Sequence, residues 1–371
     1  MTQSLYIAAT GQHVGKTTTT LGLVSCFRDK GYEVGYCKPV GQNHIEVNGQ
    51  SIDKDVTLFA QVLGFTVDGL IHSPVVIGQG ITKAYIDDPG QFQYPEDILY
   101  AARTLDNLCD LVVYEGTGHP GVGSVVDMSN ADVARLLGAS VILIVEGGIG
   151  NTIDRLSLSL AQFRQYDLPI LGVIINKVLP EKQEQIRHYV GKKLKQMGLE
   201  LLGVVPYDRR MSFPIMETIR QEVRGRVLFH EDRLDNRIAD IVAGSLVDME
   251  AFSTFSDLLL VAGLKRMDEA IEKIKWFTRE KGLESSPLSG IVITGDGKHE
   301  RRYDLSDFSN DYVFKHNIPV ISTELDTYAA VVKINRIEVK INTRTPWKTY
   351  RAIELVKESV NVDQIIASLG I

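Results

Sequence analysis

The residues best equipped for chemistry lie near the N-terminus, in Ala8-Ala9-Thr10-Gly11-Gln12-His13-Val14-Gly15-Lys16-Thr17-Thr18. An apolar run over 5–10 precedes the loop and a helical pattern over 16–30 follows it, the context that a phosphate-binding loop requires. Glycines let backbone N–H groups close on phosphate oxygens. A helix start adds N–H donors and a positive dipole end. Lys16 would reach the outer phosphates, and the Thr17 hydroxyl would ligate Mg²⁺. The expected nucleotide contacts are therefore Thr10, Gly11, Gln12, His13, Val14, Gly15, Lys16, Thr17 and Thr18. The loop departs from the Walker A pattern, which wants glycine where Thr10 stands; here the first glycine is Gly11.

Other polar groups end apolar runs, where ligands of an open α/β sheet bind. Lys38 follows the second run and is either a site cation or a surface lysine. Glu115 follows Leu111–Tyr114 directly; an acid there is costly unless solvated or paired, which points to metal or water ligation. Asp53 and Asp55 either open a helix or supply a further carboxylate. His13 and His119 read as substrate-edge or surface groups rather than general bases. Asn176-Lys177 ends the fifth run, but Leu179 replaces the aspartate of a guanine-reading Asn-Lys-x-Asp motif. That favours adenine or weak base selectivity, with Pro206, Tyr207 and Asp208 as the opposite wall. The catalytic set is then Lys16, Lys38 and Glu115, with ATP and Mg²⁺ as cofactors.

These groups need a scaffold that brings strand ends together. Apolar runs over 5–10, 33–37, 110–114, 140–145, 170–175 and 201–205 alternate with helical patterns. That rhythm predicts an α/β fold, a parallel sheet covered on both faces. Ser129-x-x-Asp132 reads as a capping box, so both residues go to helix stability. The rhythm breaks at 207–226 and resumes with strands at 258–262, 290–294 and 320–322 and helices at 267–279 and 327–332. The expected organisation is a P-loop domain over 1–215, a smaller α/β domain over 216–335 and a C-terminal helical extension over 336–371. In the extension, Trp347, Tyr350, Ile353 and Val356 recur at a spacing of three and read as the packing face.

The chain has 371 residues, 44% hydrophobic and 23% charged, with a net charge of −7. Such an acidic balance argues against a general grip on nucleic acid or an anionic membrane. Cys26, Cys37 and Cys109 show no CxxC spacing, so neither a disulfide scaffold nor a zinc site is expected. No basic leader opens the sequence, and no run approaches the ~18 apolar residues of a membrane span. A reduced, cytoplasmic setting follows.

Lys16-Thr17 after Val14-Gly15, Lys38-Pro39, Glu115-Gly116 and Asn176 together resemble dethiobiotin synthetase. That resemblance implies phosphate or carbamate contacts from Lys16 and Lys38, Mg²⁺ on Thr17, Asp55 and Glu115, and adenine read by Asn176. Ala9-Thr10-Gly11 replaces that family's Gly-Thr-Asp, and Gln12-His13 replaces its Thr-Glu. Gly11 also stands where ParA/MinD-type ATPases carry a signature lysine, which argues against a filament-forming or surface-patterning ATPase. Thr10-Gly11-x-x-Val14-Gly15, Leu21-Gly22 and Lys38-Pro39-Val40-Gly41-Gln42 more closely resemble the N-terminal region of long phosphotransacetylases. Residues 257–263 and 288–295, with Thr323, Asp326 and Tyr328, resemble the DRTGG domain of those enzymes, its signature degraded to Leu264-Lys265-Arg266-Met267-Asp268. The resemblance stops before any acetyltransferase domain. It implies an ATP-binding regulatory protein or slow Mg²⁺-dependent ATPase, or alternatively an ATP-dependent ligase of a small amine or carboxylate. A small anionic metabolite and a second copy of the chain are the expected partners besides nucleotide.

Overall fold

The computed structural model describes residues 2–244, 255–295 and 310–371. All six apolar runs become strands of one sheet, in the order Leu201–Pro206, Ile170–Val178, Ser140–Glu146, Gln3–Ala9, Leu111–Glu115, Val34–Cys37. Every pairing in it is parallel. The Leu111–Glu115 strand is buried along its whole length, which is why it reads as a continuous apolar run rather than an alternating one. The first strand is central, so the loop after it emerges between two neighbours that come later in the chain. That is the crevice where such sheets place ligands.

Helix Lys16–Asp29 opens at Gly15 in the left-handed region, with φ +93°. Helix Lys54–Leu63 is capped by the Asp53 side chain and closed by Gly64 at φ +77°. Ser129 and Asp132 form the capping box of helix Asn130–Leu136, as their spacing predicts. Features outside the sequence reading include the antiparallel hairpin His44–Val47 with Gln50–Asp53 and the full extent of helix Tyr94–Asp106.

The chain divides into two compact units, Met1–Asp208 with Ile341–Ile371, and Arg209–Lys340. The second contains a five-stranded sheet ordered Arg226–Phe229, Val320–Thr323, Leu288–Thr294, Leu258–Gly263, Asp240–Ala243, antiparallel only at its first pairing. Among the described residues, no helix is long and apolar enough to cross a membrane.

The C-terminal helix Pro346–Ser359 packs within the first unit, on a face that shares only Val356 with the expected one. Its buried residues are Lys348, Thr349, Ala352, Leu355 and Val356, whereas Tyr350 is 70% exposed. A strict spacing of three drifts around an α-helix by about 60° per step, so it cannot hold one face. The buried face alternates steps of three and four, and Lys348 disguises it in the sequence. Val356 lies over Gly22 of helix Lys16–Asp29: a Cβ at Gly22 would sit 2.4 Å from that of Val356. Gly22→Ala should therefore lower stability by about 1–3 kcal/mol through overpacking. Val356→Ala in the same chain removes the two methyl carbons at 2.5 and 2.9 Å but keeps the Cβ at 2.4 Å, so it should restore only a minor part of the loss, as read from urea denaturation midpoints.

Candidate nucleotide and metal site

Glu115 is fully buried at the end of its strand. Its Oε1 accepts a hydrogen bond from the Thr17 hydroxyl at 2.7 Å, and its Oε2 lies 3.4 Å from the Tyr36 hydroxyl. Parallel register places Ile7 opposite Glu115 and Cys37 opposite Tyr114, so the chain leaving Cys37 delivers Lys38 to the same level. Lys38 is buried, with Nζ 3.3 Å from Asp53 Oδ1, 3.8 Å from Glu115 Oε1 and in a short contact with Asp55 Oδ2. Lys38 is thus a buried, ion-paired lysine rather than a surface one.

The electrostatics follow from the geometry. Burial alone would lower the Lys38 ammonium, but Asp55, Glu115 and Asp53 outweigh it and hold it above the usual lysine range. Burial pushes the Glu115 carboxyl up and Asp55 adds to this, against Lys38, Lys16 and the Thr17 hydroxyl. Both directions hold together because Lys38 contacts Asp55 more closely than Glu115.

The two aspartates separate into different roles. Asp53 is the cap of helix Lys54–Leu63; its carboxylate accepts from Asp55 N, Gln42 N and Asn43 N at 3.0–3.2 Å. Gly41 is needed beside it, since a Cβ there would sit 2.6 Å from that of Asp53. Asp55, the second residue of the helix, faces Lys38 and is less enclosed.

The phosphate loop is braced from below. Asn176 Nδ2 donates to the Val14 carbonyl at 2.9 Å, and it would lie 2.0 Å from a Cβ at Gly15. Gly15 is therefore required by both its φ and this approach. Lys177 donates to the His13 carbonyl and pairs with Glu146 at 2.9 Å. Lys16 Nζ donates to the Gly118 carbonyl at 3.0 Å, linking the loop to the segment after Glu115.

That segment is fixed by Asn130. Its Oδ1 accepts from the Tyr6 hydroxyl at 2.8 Å and from Thr117 N at 2.9 Å. Its Nδ2 donates to the Thr117 and His119 carbonyls at 2.8 and 2.6 Å. Burial, then Cys37 and Glu115, push the Tyr6 phenol up, which keeps it a donor. Asn130, Tyr36, Glu146 and Lys177 escaped the sequence reading as site residues. Their contacts bridge distant segments, and no local spacing signals them.

The loop fits an anionic ligand: Gly15 opens a fourteen-residue helix, and the buried Thr10 Oγ1 has no hydrogen-bond partner. Thr17, Asp55 and Glu115 offer oxygen donors suited to a hard cation, and Mg²⁺ is held by one or two carboxylates plus phosphates rather than by an all-protein cage. Among the described residues, no group of three or more His, Cys, Asp or Glu is placed to hold a metal ion. His13 and His119 are exposed. Tyr207 is 38% exposed after Pro206, and its N–H donates to the Val178 carbonyl. In the second unit, Lys265 and Arg266 are exposed in the first turn of helix Leu264–Glu280. Asp268 there accepts from Asn310 Nδ2.

A family model described as "AAA domain" matches residues 3–214. That is more than half of the chain, and the chain belongs to this family. It is 22% identical to the phosphate acetyltransferase of Nitrosomonas europaea over 99% of this chain and 52% of that protein. It spans about half the length of the phosphate acetyltransferases it matches. The likeness to the front part of long phosphotransacetylases is thus shown, covering most of the chain. A probable cobyric acid synthase of Methanocaldococcus jannaschii is 25% identical over 88% of this chain and 78% of that protein. The ATP-dependent dethiobiotin synthetase of Clostridium acetobutylicum is 23% identical over 59% of this chain and 92% of its own length. The solved MinD cell division protein of Aquifex aeolicus superposes with a TM-score of 0.37 at 13% identity, covering 56% of this chain and 84% of its own. That score is too low to carry an inference.

Asn130→Ala strips four hydrogen bonds at once and leaves their buried partners unsatisfied. The expected cost is about 2–4 kcal/mol, read as a lower urea midpoint. Asn130→Asp, which sets a buried carboxylate oxygen against the Thr117 and His119 carbonyls, should cost at least as much.

Proposed function

We propose that this chain binds ATP with Mg²⁺ at the loop Thr10–Thr18 and acts as a nucleotide-responsive regulatory protein or slow ATPase. The observation that carries the reading is the convergence of Lys16, Thr17, Lys38 and Glu115 at the ends of three adjacent strands. Thr17, Asp55 and Glu115 would hold Mg²⁺, whose charge would supply electrostatic stabilisation of phosphoryl transfer. Lys16 would bind the outer phosphates, and the N–H groups at the start of its helix would orient them. Asn176, with Nδ2 held by Val14, keeps Oδ1 to accept from the adenine amine, and Pro206 and Tyr207 would line the base. The segment pinned by Asn130 would cover the phosphates and limit the entry of water.

The regulatory part of the reading is supported by the second compact unit, Arg209–Lys340, which a plain ligase does not need. We take it as DRTGG-like, sensing a small anionic metabolite or mediating contact between two copies of the chain. A ligase reading is favoured by Lys38, a second cation beside Asp55 and Glu115 that could hold a carbamate. Phosphate release with Mg-ATP alone, compared with release in diaminopelargonate and bicarbonate, separates the two. Release that depends strongly on the diamine supports the ligase; release indifferent to it supports the regulatory ATPase.

Lys16→Ala should abolish ATP binding in calorimetry while circular dichroism stays native, because its side chain supplies charge rather than packing. Unchanged affinity in that folded variant ends the phosphate-loop assignment. Glu115→Gln should still bind nucleotide and lose Mg²⁺ dependence or turnover; a wild-type hydrolysis rate would make Glu115 structural. Without an aspartate at Leu179, the site should not favour GTP strongly. A GTP preference of about 100-fold, or about 2.7 kcal/mol, in direct competition would contradict the adenine assignment.

A further inference from the structure

The geometry points to an interlock at the carboxylates: Lys38 is an internal cation that competes with the divalent ion, and the ion enters only when an anionic ligand draws the lysine away. The inference rests on the reading that Thr17, Asp55 and Glu115 hold the metal. Lys38 touches the oxygens that a divalent ion would use. Its ammonium contacts Asp55 Oδ2 and lies 3.8 Å from Glu115 Oε1, the same oxygen that accepts from Thr17. Two cations drawn to shared oxygens repel each other strongly where water is scarce.

The lysine is nearly sealed in its present position, with Asp55, at 18% exposed, the most open of its partners. Its side chain is 6% exposed, and Asp53 and Glu115 around it are 1% and 0% exposed. Releasing a buried ammonium without a new partner is costly. Its release therefore calls for another anion within the site, the phosphates of a nucleotide or a carboxylate co-substrate. Asp53 is not the competing ligand, because three backbone N–H groups already hold its carboxylate. The ammonium would then move from Asp55 and Glu115 to the arriving anion and leave those oxygens to the metal. The same lysine excludes divalent ions that arrive alone and helps to bind the anion that brings one in.

The test is Mn²⁺ binding by electron paramagnetic resonance, without nucleotide, on the full chain. Wild type should bind Mn²⁺ weakly. Lys38→Met, neutral and of similar length, should bind it at least ~10-fold more tightly, about 1.4 kcal/mol. Lys16→Met, which removes a nearby charge hydrogen-bonded to the Gly118 carbonyl, should change Mn²⁺ affinity much less. Equal affinities in wild type and Lys38→Met overturn the interlock, and so does an equal gain from Lys16→Met. Adding Glu115→Gln to Lys38→Met separates the two claims. If the gained Mn²⁺ site persists in that double variant, the metal assignment fails rather than the competition.

A measurement on the native chain covers the case in which Lys38→Met does not fold. The ammonium ¹⁵N resonance of Lys38 is assigned by its loss in Lys38→Arg, which keeps the charge. Mg²⁺ alone should leave it in place, and Mg²⁺ with ATP should shift it. A shift with Mg²⁺ alone overturns the interlock.

Discussion

An ionisable carboxylate sealed at the end of an apolar strand is the constraint on which the rest of the first unit depends. Glu115 is fully buried, and an unpaired charge there would be untenable. Its partners come from three separate segments: Thr17 from the first helix, Tyr36 from the neighbouring strand, and Lys38 from just beyond that strand. Each is delivered by the parallel register of the Gln3–Ala9, Leu111–Glu115 and Val34–Cys37 strands. The sheet order is therefore also a charge arrangement. Any slip in register would leave Glu115 without its counter-charges.

One ammonium cannot balance three carboxylates. Asp53 is relieved by backbone N–H groups at a helix start, so its charge is absorbed by the fold. Asp55 and Glu115 share Lys38, with Lys16 acting on Glu115 from farther away. Once an arriving anion draws Lys38 away, as proposed, Asp55 and Glu115 would be left to a divalent cation. The phosphate loop beside them is receptive to anions. Adjacent sites of opposite preference suit a metal–polyphosphate complex better than either component alone.

Much of this was legible in the sequence. The six strands were visible because buried parallel strands are continuous apolar runs, and the loop because Gly15, Lys16 and Thr17 sit between a strand and a helix. Glu115 stood out because an acid directly after four apolar residues is anomalous. The braces were not legible. Asn130 reaches Tyr6 and Thr117, and Asn176 and Lys177 reach Val14 and His13, across separations that no spacing rule spans. The His44–Asp53 hairpin was missed because its largely exposed first strand has no buried face to impose alternation. The packed face of the C-terminal helix was misread because Lys348, one of its residues, is charged in type and buried in fact. In the second unit, strands Arg226–Phe229 and Asp240–Ala243 are short edge strands carrying a charged first residue, which hides them among connecting segments.

The central claim is that Lys16, Thr17 and Glu115 form one site for a nucleotide and its metal. Calorimetric titration of ATP into the full chain, once in Mg²⁺ and once in a chelator, tests it most directly. Saturable binding of one ATP per chain is expected in Mg²⁺, and at least ~10-fold weaker binding in the chelator. Equal affinity under both conditions, or no binding at millimolar ATP in either, would contradict it.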